Sequence, residues 1–270
     1  MSKRSFLVAV LALGSTGLFA ADTLTVAQQE EFLRTAKPIG AKPAKKGVTD
    51  TLRVTLSDGK ITHDASFQSI NDSKAIFQGQ GGSTELNFKD TYLFDIAGWR
   101  LAKMLGLDDM VPPSVERKYE SKTGSFTWWI DDVMMDEVER VQKKLQPPDA
   151  DSWGREIQVL HVFDQLMFNT DSNATNLLID KQWHIWMIDH SRAFRLLKTL
   201  QDPKMLSRCD RALLAKMKAL DQASLEKEMK NILNKGEIQG ILARRDLIVK
   251  FFESKGDSVM FDRPDRRQTN

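Results

Sequence analysis

Three polar residues in the middle of the chain stand at spacings that suit phosphoryl transfer. Asp171 lies five residues before Asn176, and Asp189 follows a short apolar run, all within NTDSNATNLLIDKQWHIWMIDHSRAF, residues 169–194. In that chemistry one Asp orients an attacking hydroxyl and accepts its proton, while an Asn and a second Asp hold the divalent metals that neutralise nucleotide phosphates. Mg2+ or Mn2+ needs hard oxygen ligands, which an amide carbonyl and a carboxylate supply. The spacing D-x-x-x-x-N alone is common. Its context adds weight, because LLID, KQ and WHIWMID read as two short strands joined by a tight turn. Such a hairpin brings Asn176 and Asp189 to the same end. Taken singly, these residues equally suit a polar turn or a helix cap; the joint spacing is what points to a site.

The segment resembles the catalytic core of the atypical kinase-like superfamily, which includes the secretory-pathway casein kinases, HipA-type toxin kinases, spore-coat kinases and type II phosphatidylinositol 4-kinases. The family core has N-T-D-x-x-x-x-N, then a hairpin, then I-D-[NH]-[GS]-x-A-F. Here these positions are Asn169-Thr170-Asp171, Asn176, and Ile188-Asp189-His190-Ser191-Arg192-Ala193-Phe194. Upstream, DTYLFDIAGWRLAKMLGLDDMVPPSVER is similar to the small-lobe helix and Val-Pro-Pro strand entry of exported bacterial members. Together the matches run from about Ser57 to Phe194. The resemblance implies an α+β, two-lobed protein-kinase-like fold with a small β-rich lobe carrying one helix and a mainly helical large lobe. It further implies Asp171 as the catalytic base, Asn176 and Asp189 as metal ligands, ATP with Mg2+ or Mn2+, and a protein or small-molecule hydroxyl as acceptor.

One part of that pattern is broken. A working kinase pairs a small-lobe Lys with a helix Glu, the Lys contacting phosphates and the Glu holding it. By the resemblance the Lys should end the strand SKAIFQ, where Gln78 stands, and the Glu should lie where Asp95 stands. Gln carries no charge, and Asp has a shorter reach than Glu. Lys74 shares a strand face with Gln78 but is ~13 Å away at strand rise. Arg192 is nearest to Asp189 in sequence, and Lys89 and Lys103 are further cations. Losing one charge-stabilising donor costs roughly 3–4 kcal/mol of transition-state stabilisation. Three functions therefore compete: an exported phosphotransferase, a pseudokinase binding module that keeps the fold and metal site, and a kinase fold doing nucleotidyl transfer.

The remaining sequence positions these residues. At 270 residues the chain suits one two-lobed domain. Lys plus Arg number 39 against 37 Asp plus Glu, a balance that gives no case for nucleic-acid binding. The start, MSKRSFLVAVLALGSTGLFAAD, reads as a secretory signal peptide, basic then apolar then small, over residues 1–21. Export to a periplasm or beyond follows, with no stable membrane anchor after cleavage. Cys209 is the single cysteine, which excludes an intramolecular disulfide and C-x-x-C sites. The four histidines show no zinc spacing, and G-x-S-x-G and Walker lysine motifs are absent. Residues 22–50 read as a short helix and a flexible connector rich in Pro, Gly and Lys. Residues 51–130 read as the small lobe, with hairpins at Ser57–Lys60 and Thr123–Gly124 and a helix after Asp90. The Gly79–Gly82 turn could cover phosphates with backbone N–H groups, although an ordinary loop is the plainer reading. Residues 131–262 read as the large lobe, with helices over DDVMMDEVERVQKKL, Trp153–Phe168, Leu206–Leu220, Leu225–Leu233 and Glu237–Phe252. Trp128, Trp129, Met134 and Met135 lie where the lobes join and are candidates to line an adenine pocket. Residues 263–270 read as a polar, frayed tail.

Overall fold

The computed structural model describes residues 24–44, 51–79, 84–264 and 266. The expected signal peptide and residues 80–83 of the glycine turn lie outside them. Among the described residues no helix is long and apolar enough to cross a membrane.

Helix α1 (Val26–Thr35) starts at a capping box between Thr25 and Gln28 and leads into β1 (Lys37–Pro43). Strands β2 (Leu52–Ser57), β3 (Thr62–Gln68), β6 (Ser114–Tyr119) and β7 (Lys122–Trp128) join β1 in an antiparallel sheet of order β1-β2-β3-β7-β6. Alternating residues Val54, Leu56, Ala65, Phe67 and Phe126 turn inward and form a core with Phe32 and Leu33 of α1. The β2–β3 turn forms as expected, with Gly59 at φ +89° and Asp58 Oδ1 accepting from the Lys60 and Ile61 amides.

Two expectations for this region fail. Residues 37–43 are a strand, not part of a flexible connector. The prolines are tolerated because β1 is an edge strand, and its register shifts between Pro38 and Gly40. The β6–β7 turn falls at Glu120–Ser121, not Thr123–Gly124, and Glu120 takes φ +52°. Gly124 lies inside β7, where a Cβ would come within 2.2 Å of the Gln68 carbonyl oxygen. The glycine is there for close strand approach, not for turning.

Between β3 and the small-lobe helix the chain makes a separate hairpin, β4 (Asn71–Gln78) with β5 (Thr84–Thr91), that among the described residues pairs with no other strand. Helix α2 (Tyr92–Leu105) follows, capped by Thr91 and ended by Gly106 in the left-handed region. Its residues Phe94, Trp99, Leu101 and Leu105 share the core of the large lobe.

The large lobe contains β8 (Val133–Asp136), α3 (Glu137–Gln142), α4 (Ala150–Met167), the hairpin β9 (Leu177–Asp180) and β10 (Ile185–Met187), β11 (Cys209–Asp210), α5 (Arg211–Ala219), α6 (Gln222–Glu228), α7 (Lys235–Lys255) and β12 (Met260–Phe261). Val133–Asp136 was expected to be helical. It is a strand because β9 offers it an open edge, and Asp136 then caps the shortened α3. Val159, Phe163, Leu166, Ile241, Ile248 and Phe252 bring α4 and α7 together in the core. The polar tail is not frayed at its start: Arg263 forms an ion pair at 2.8 Å with buried Asp109, and buried Arg266 pairs with Glu156. Residues 267–270 lie outside the described residues.

Candidate active site

The β9–β10 hairpin sets the site's geometry. Asp180 Oδ1 accepts from the Gln182 and His184 amides, and its Oδ2 accepts from Trp186 Nε1 at 3.0 Å. Burial pushes this carboxyl up, but its hydrogen bonds to His184 and Trp186 outweigh that and hold it below the usual range. The ladder continues past the strands, with the Ile188 amide donating to the Asn176 carbonyl at 3.0 Å. Asn176 and Asp189 therefore reach the same end of the hairpin, as their spacing predicts.

The Asp171 loop is held from within. Asn169 Oδ1 accepts from the Asp171 amide at 3.1 Å, Asn176 Nδ2 donates to the Asp171 carbonyl at 3.2 Å, and Asn173 Nδ2 reaches Asp171 Oδ1 at 3.1 Å. Beneath it, Asp164 accepts from the Ser172 hydroxyl and from Asn169.

Asp189 takes φ +57°, a left-handed backbone that turns its side chain away from regular strand geometry. His190 fixes that backbone. Its amide donates to Asp95 Oδ1 at 2.9 Å, and its ring presses on Gly98 of α2, where a Cβ would come within 2.9 Å of Nδ1. Burial lowers the His190 imidazole to about 4, so the ring is neutral at pH 7.

Between the lobes lies a cavity of about 400 Å³. Asn176, Asp189 and Ile188 line one wall, and Gln68 and Asp95 line the other. Trp128, Trp129, Met134 and Met135 all line it, so the four candidates from the lobe junction do face the cleft. No Lys or Arg is among its described lining residues.

The expected places of the Lys–Glu pair need one correction. Gln78 is exposed at the end of β4, accepts from Thr84 Oγ1 at 3.2 Å, and lies outside the cleft. SKAIFQ belongs to the inserted hairpin, whereas the cleft wall is built by β3, which pairs with β2 and β7. Buried Gln68, at the end of β3, lines the same wall as Asp95, and the Ser125 hydroxyl bonds both to its carbonyl and to Asp95. Asp95 is in the cleft, but its partners are the His190 amide and the Ser125 hydroxyl at 3.2 Å. Burial drives its carboxyl well above the usual range, and the charge of Asp189 adds to this. The candidate replacement cations are engaged elsewhere. Lys74 pairs with Asp72, Lys103 with Glu30, Lys89 with Glu237, and Arg192 faces Glu85 at 3.7 Å.

Sequence reasoning missed Asp90. Preceding a helix cap, it reads as an ordinary acidic residue at a helix start. Among the described residues its Oδ1 is buried without a hydrogen-bond partner, and so is Asp189 Oδ1. Burial raises the Asp189 carboxyl and the charges of Asp90 and Asp171 raise it further, against hydrogen bonds from Ser191. Unpaired buried carboxylate oxygens are costly unless a cation meets them. The donor set fits a divalent cation: carboxylate oxygens of Asp189 and Asp90 with the Asn176 amide close by. Among the described residues no three His, Cys, Asp or Glu side chains converge as a metal cluster. Water or phosphate oxygens would have to complete the shell.

No protein-family model matches the chain, and no curated protein matches it. Solved structures do. A hydra Fam20 protein solved with sugar superposes with a TM-score of 0.62 at 14% identity, covering 88% of this chain and 92% of that one. The Helicobacter pylori proinflammatory kinase CtkA gives 0.50 at 9% identity, covering 80% and 92%. At these identities the likeness shows the fold, which is kinase-like and matches the α+β architecture expected from the sequence.

Proposed function

We propose that the protein is an exported atypical kinase-like phosphotransferase that binds ATP with Mg2+ or Mn2+ between its lobes and uses a protein or small-molecule hydroxyl as acceptor. The observation that carries this reading is the buried, unpartnered Asp189 Oδ1 beside Asn176 at the cleft wall. Asp189 and Asn176, with the carboxylate of Asp90 near Asp189, would hold the metal, which would supply positive charge to the phosphates. Asp171 orients the acceptor hydroxyl and takes its proton as the phosphoryl group moves from nucleotide to acceptor oxygen. The apolar wall of Trp128, Met135, Leu178 and Met187 suits an adenine ring. The neighbour described as a kinase supports the same class. The basic, apolar and small-residue order of the N-terminus supports export.

A second reading has its own observation. With Gln68 beside Asp95 and no Lys or Arg among the described lining residues, the site suits a pseudokinase that binds metal–nucleotide without transferring phosphate. Thermal unfolding with Mn2+ or Mg2+ plus ATP, compared with Asp189→Ala, tests what the two readings share. Ligand at about 100 times its Kd stabilises a fold by about 2.7 kcal/mol, which at this size is a rise of roughly 5–11 °C. A metal-dependent rise that vanishes in Asp189→Ala is expected. No rise with either metal removes both readings.

A further inference from the structure

Just beyond Asp189 the chain meets the inserted β4–β5 hairpin through Arg195. The Arg195 side chain is almost wholly buried, and its Nε lies 2.6 Å from Glu85 Oε1 on β5, a close ionic contact. Its Nη1 donates to the Lys89 carbonyl of the same strand at 2.6 Å. Its Nη2 donates to Thr170 Oγ1 at 3.2 Å, immediately before Asp171. Thr170 in turn ties back to this segment, its hydroxyl donating to the Arg192 carbonyl at 2.9 Å. From below, Arg244 on α7 donates to the Arg195 and Leu197 carbonyls and to the Leu166 carbonyl at the end of α4. One guanidinium, carried on the post-Asp189 segment, thus touches both the small-lobe hairpin and the Asp171 loop.

We propose that Glu85 and Arg195 form a cross-lobe positioning pair. Glu85 fixes Arg195, and Arg195 holds Thr170 and with it the Asp171 loop. A planar fork with donors at fixed angles suits a junction of a carboxylate, a carbonyl and a hydroxyl, and a lysine could not reproduce it. Glu85 is held at the same time by Arg192, which also lies over the Phe88 ring at 5.1 Å. The hairpin therefore sets the Asp171 loop with a carboxylate already built into the chain, so no added phosphate is needed to order that segment. What the loop does when set rests on the function proposed above; the coupling itself does not.

Hydrogen exchange on the full chain tests the coupling without requiring activity. Glu85→Gln is nearly isosteric, so it tests the charge with the smallest risk to folding. It is expected to speed exchange of amides 170–173 about tenfold or more while leaving the α4 and α7 core amides unchanged. Arg195→Lys is expected to do the same. The double variant should be no worse than the worse single one, as for residues acting through one contact. With Mn2+ and ATP, Glu85→Gln should keep its nucleotide affinity within about threefold and lose about 10- to 100-fold in turnover, a kcat effect rather than a KM effect. Unchanged loop exchange, additive single effects, or equal acceleration throughout α4 and α7 would each overturn the pairing. If the wild type neither binds nucleotide nor turns over, the function proposed above fails, and the exchange result still decides the pairing.

Discussion

The large-lobe wall of the cleft presents Asn176 and Asp189, with the Asp171 loop tied to Asn176 just outside the lining, whereas the small-lobe wall presents Gln68 beside a buried Asp95. The first wall carries the oxygen donors that the proposed metal–nucleotide reading calls on. The second lacks a cation among its described lining residues, and the charge of nearby Asp90 raises both Asp95 and Asp189. The contrast separates two tasks that usually travel together, holding a metal–nucleotide and stabilising the charge that develops during transfer. Asp95 shows how far the separation has gone: it anchors the backbone after Asp189 instead of a lysine. The sharpest way to separate the walls is Asp171→Asn. It is expected to retain the metal–nucleotide rise in melting temperature and to lose about 10²- to 10⁴-fold in phosphate transfer, measured with radiolabelled ATP. Transfer that survives the substitution would remove Asp171 from the role proposed for it.

The small-lobe wall can be tested by restoring what it lacks. Gln68→Lys would place an ammonium on the same wall as Asp95, whose carboxyl burial and Asp189 push upward. The new ion pair should bring that carboxyl back toward its ordinary range. Transfer should rise by up to about 100-fold, since one donor aimed at developing charge is worth that much. No change in either transfer or nucleotide affinity would mean that Gln68 does not face the phosphates. Asp90→Asn probes the same wall from the metal side. Removing this carboxylate is expected to weaken Mn2+ binding by about 10- to 100-fold, read by calorimetric titration in the presence of ATP. Unaltered Mn2+ affinity would show that the buried oxygen of Asp90 faces no cation.

The two walls also differ in how much of them the sequence reveals. On the large-lobe side the relevant residues are local. Asn169 to Phe194 is one loop and one hairpin, so spacing and alternation suffice to bring Asn176 and Asp189 together. The small-lobe side is assembled from β3, α2, β6 and β7, which are far apart in sequence. There the strand nearest the helix in the chain belongs to an inserted hairpin, which diverted the Lys position to Gln78 and away from Gln68. Nothing in the composition of SKAIFQ announces that its partner is β5 and not the sheet of β2, β3 and β7. The strand at Val133–Asp136 was hidden for a similar reason, since its partner β9 comes about forty residues later. Asp90 and the Glu85–Arg195 contact leave no pattern in the chain at all; they become visible only through burial and the partners it leaves or denies.

The large-lobe wall in turn rests on Asp164 beneath the Asp171 loop, and pH tests that support. Burial pushes the Asp164 carboxyl up to about 6, against hydrogen bonds from Ser172 and Asn169 that pull it down. A folded-state value above the unfolded one near 3.8 means that the folded protein holds this proton more tightly. The resulting stabilisation is fully present below about pH 4 and is lost as the pH rises through about 6. Other carboxylates, such as Asp64 and Asp180, are held low in the fold and act in the opposite sense as the pH falls. The comparison must therefore be a difference between proteins. Asp164→Asn keeps an amide that can still bond to Ser172 and does not titrate. Relative to this variant, the wild type should lose about 1–2 kcal/mol of unfolding free energy between pH 4 and 7, the full shift being discounted for partial exposure. Urea unfolding at several pH values measures it. A difference that stays flat across that range would mean that Asp164 titrates normally and that the loop above it is supported by hydrogen bonds alone.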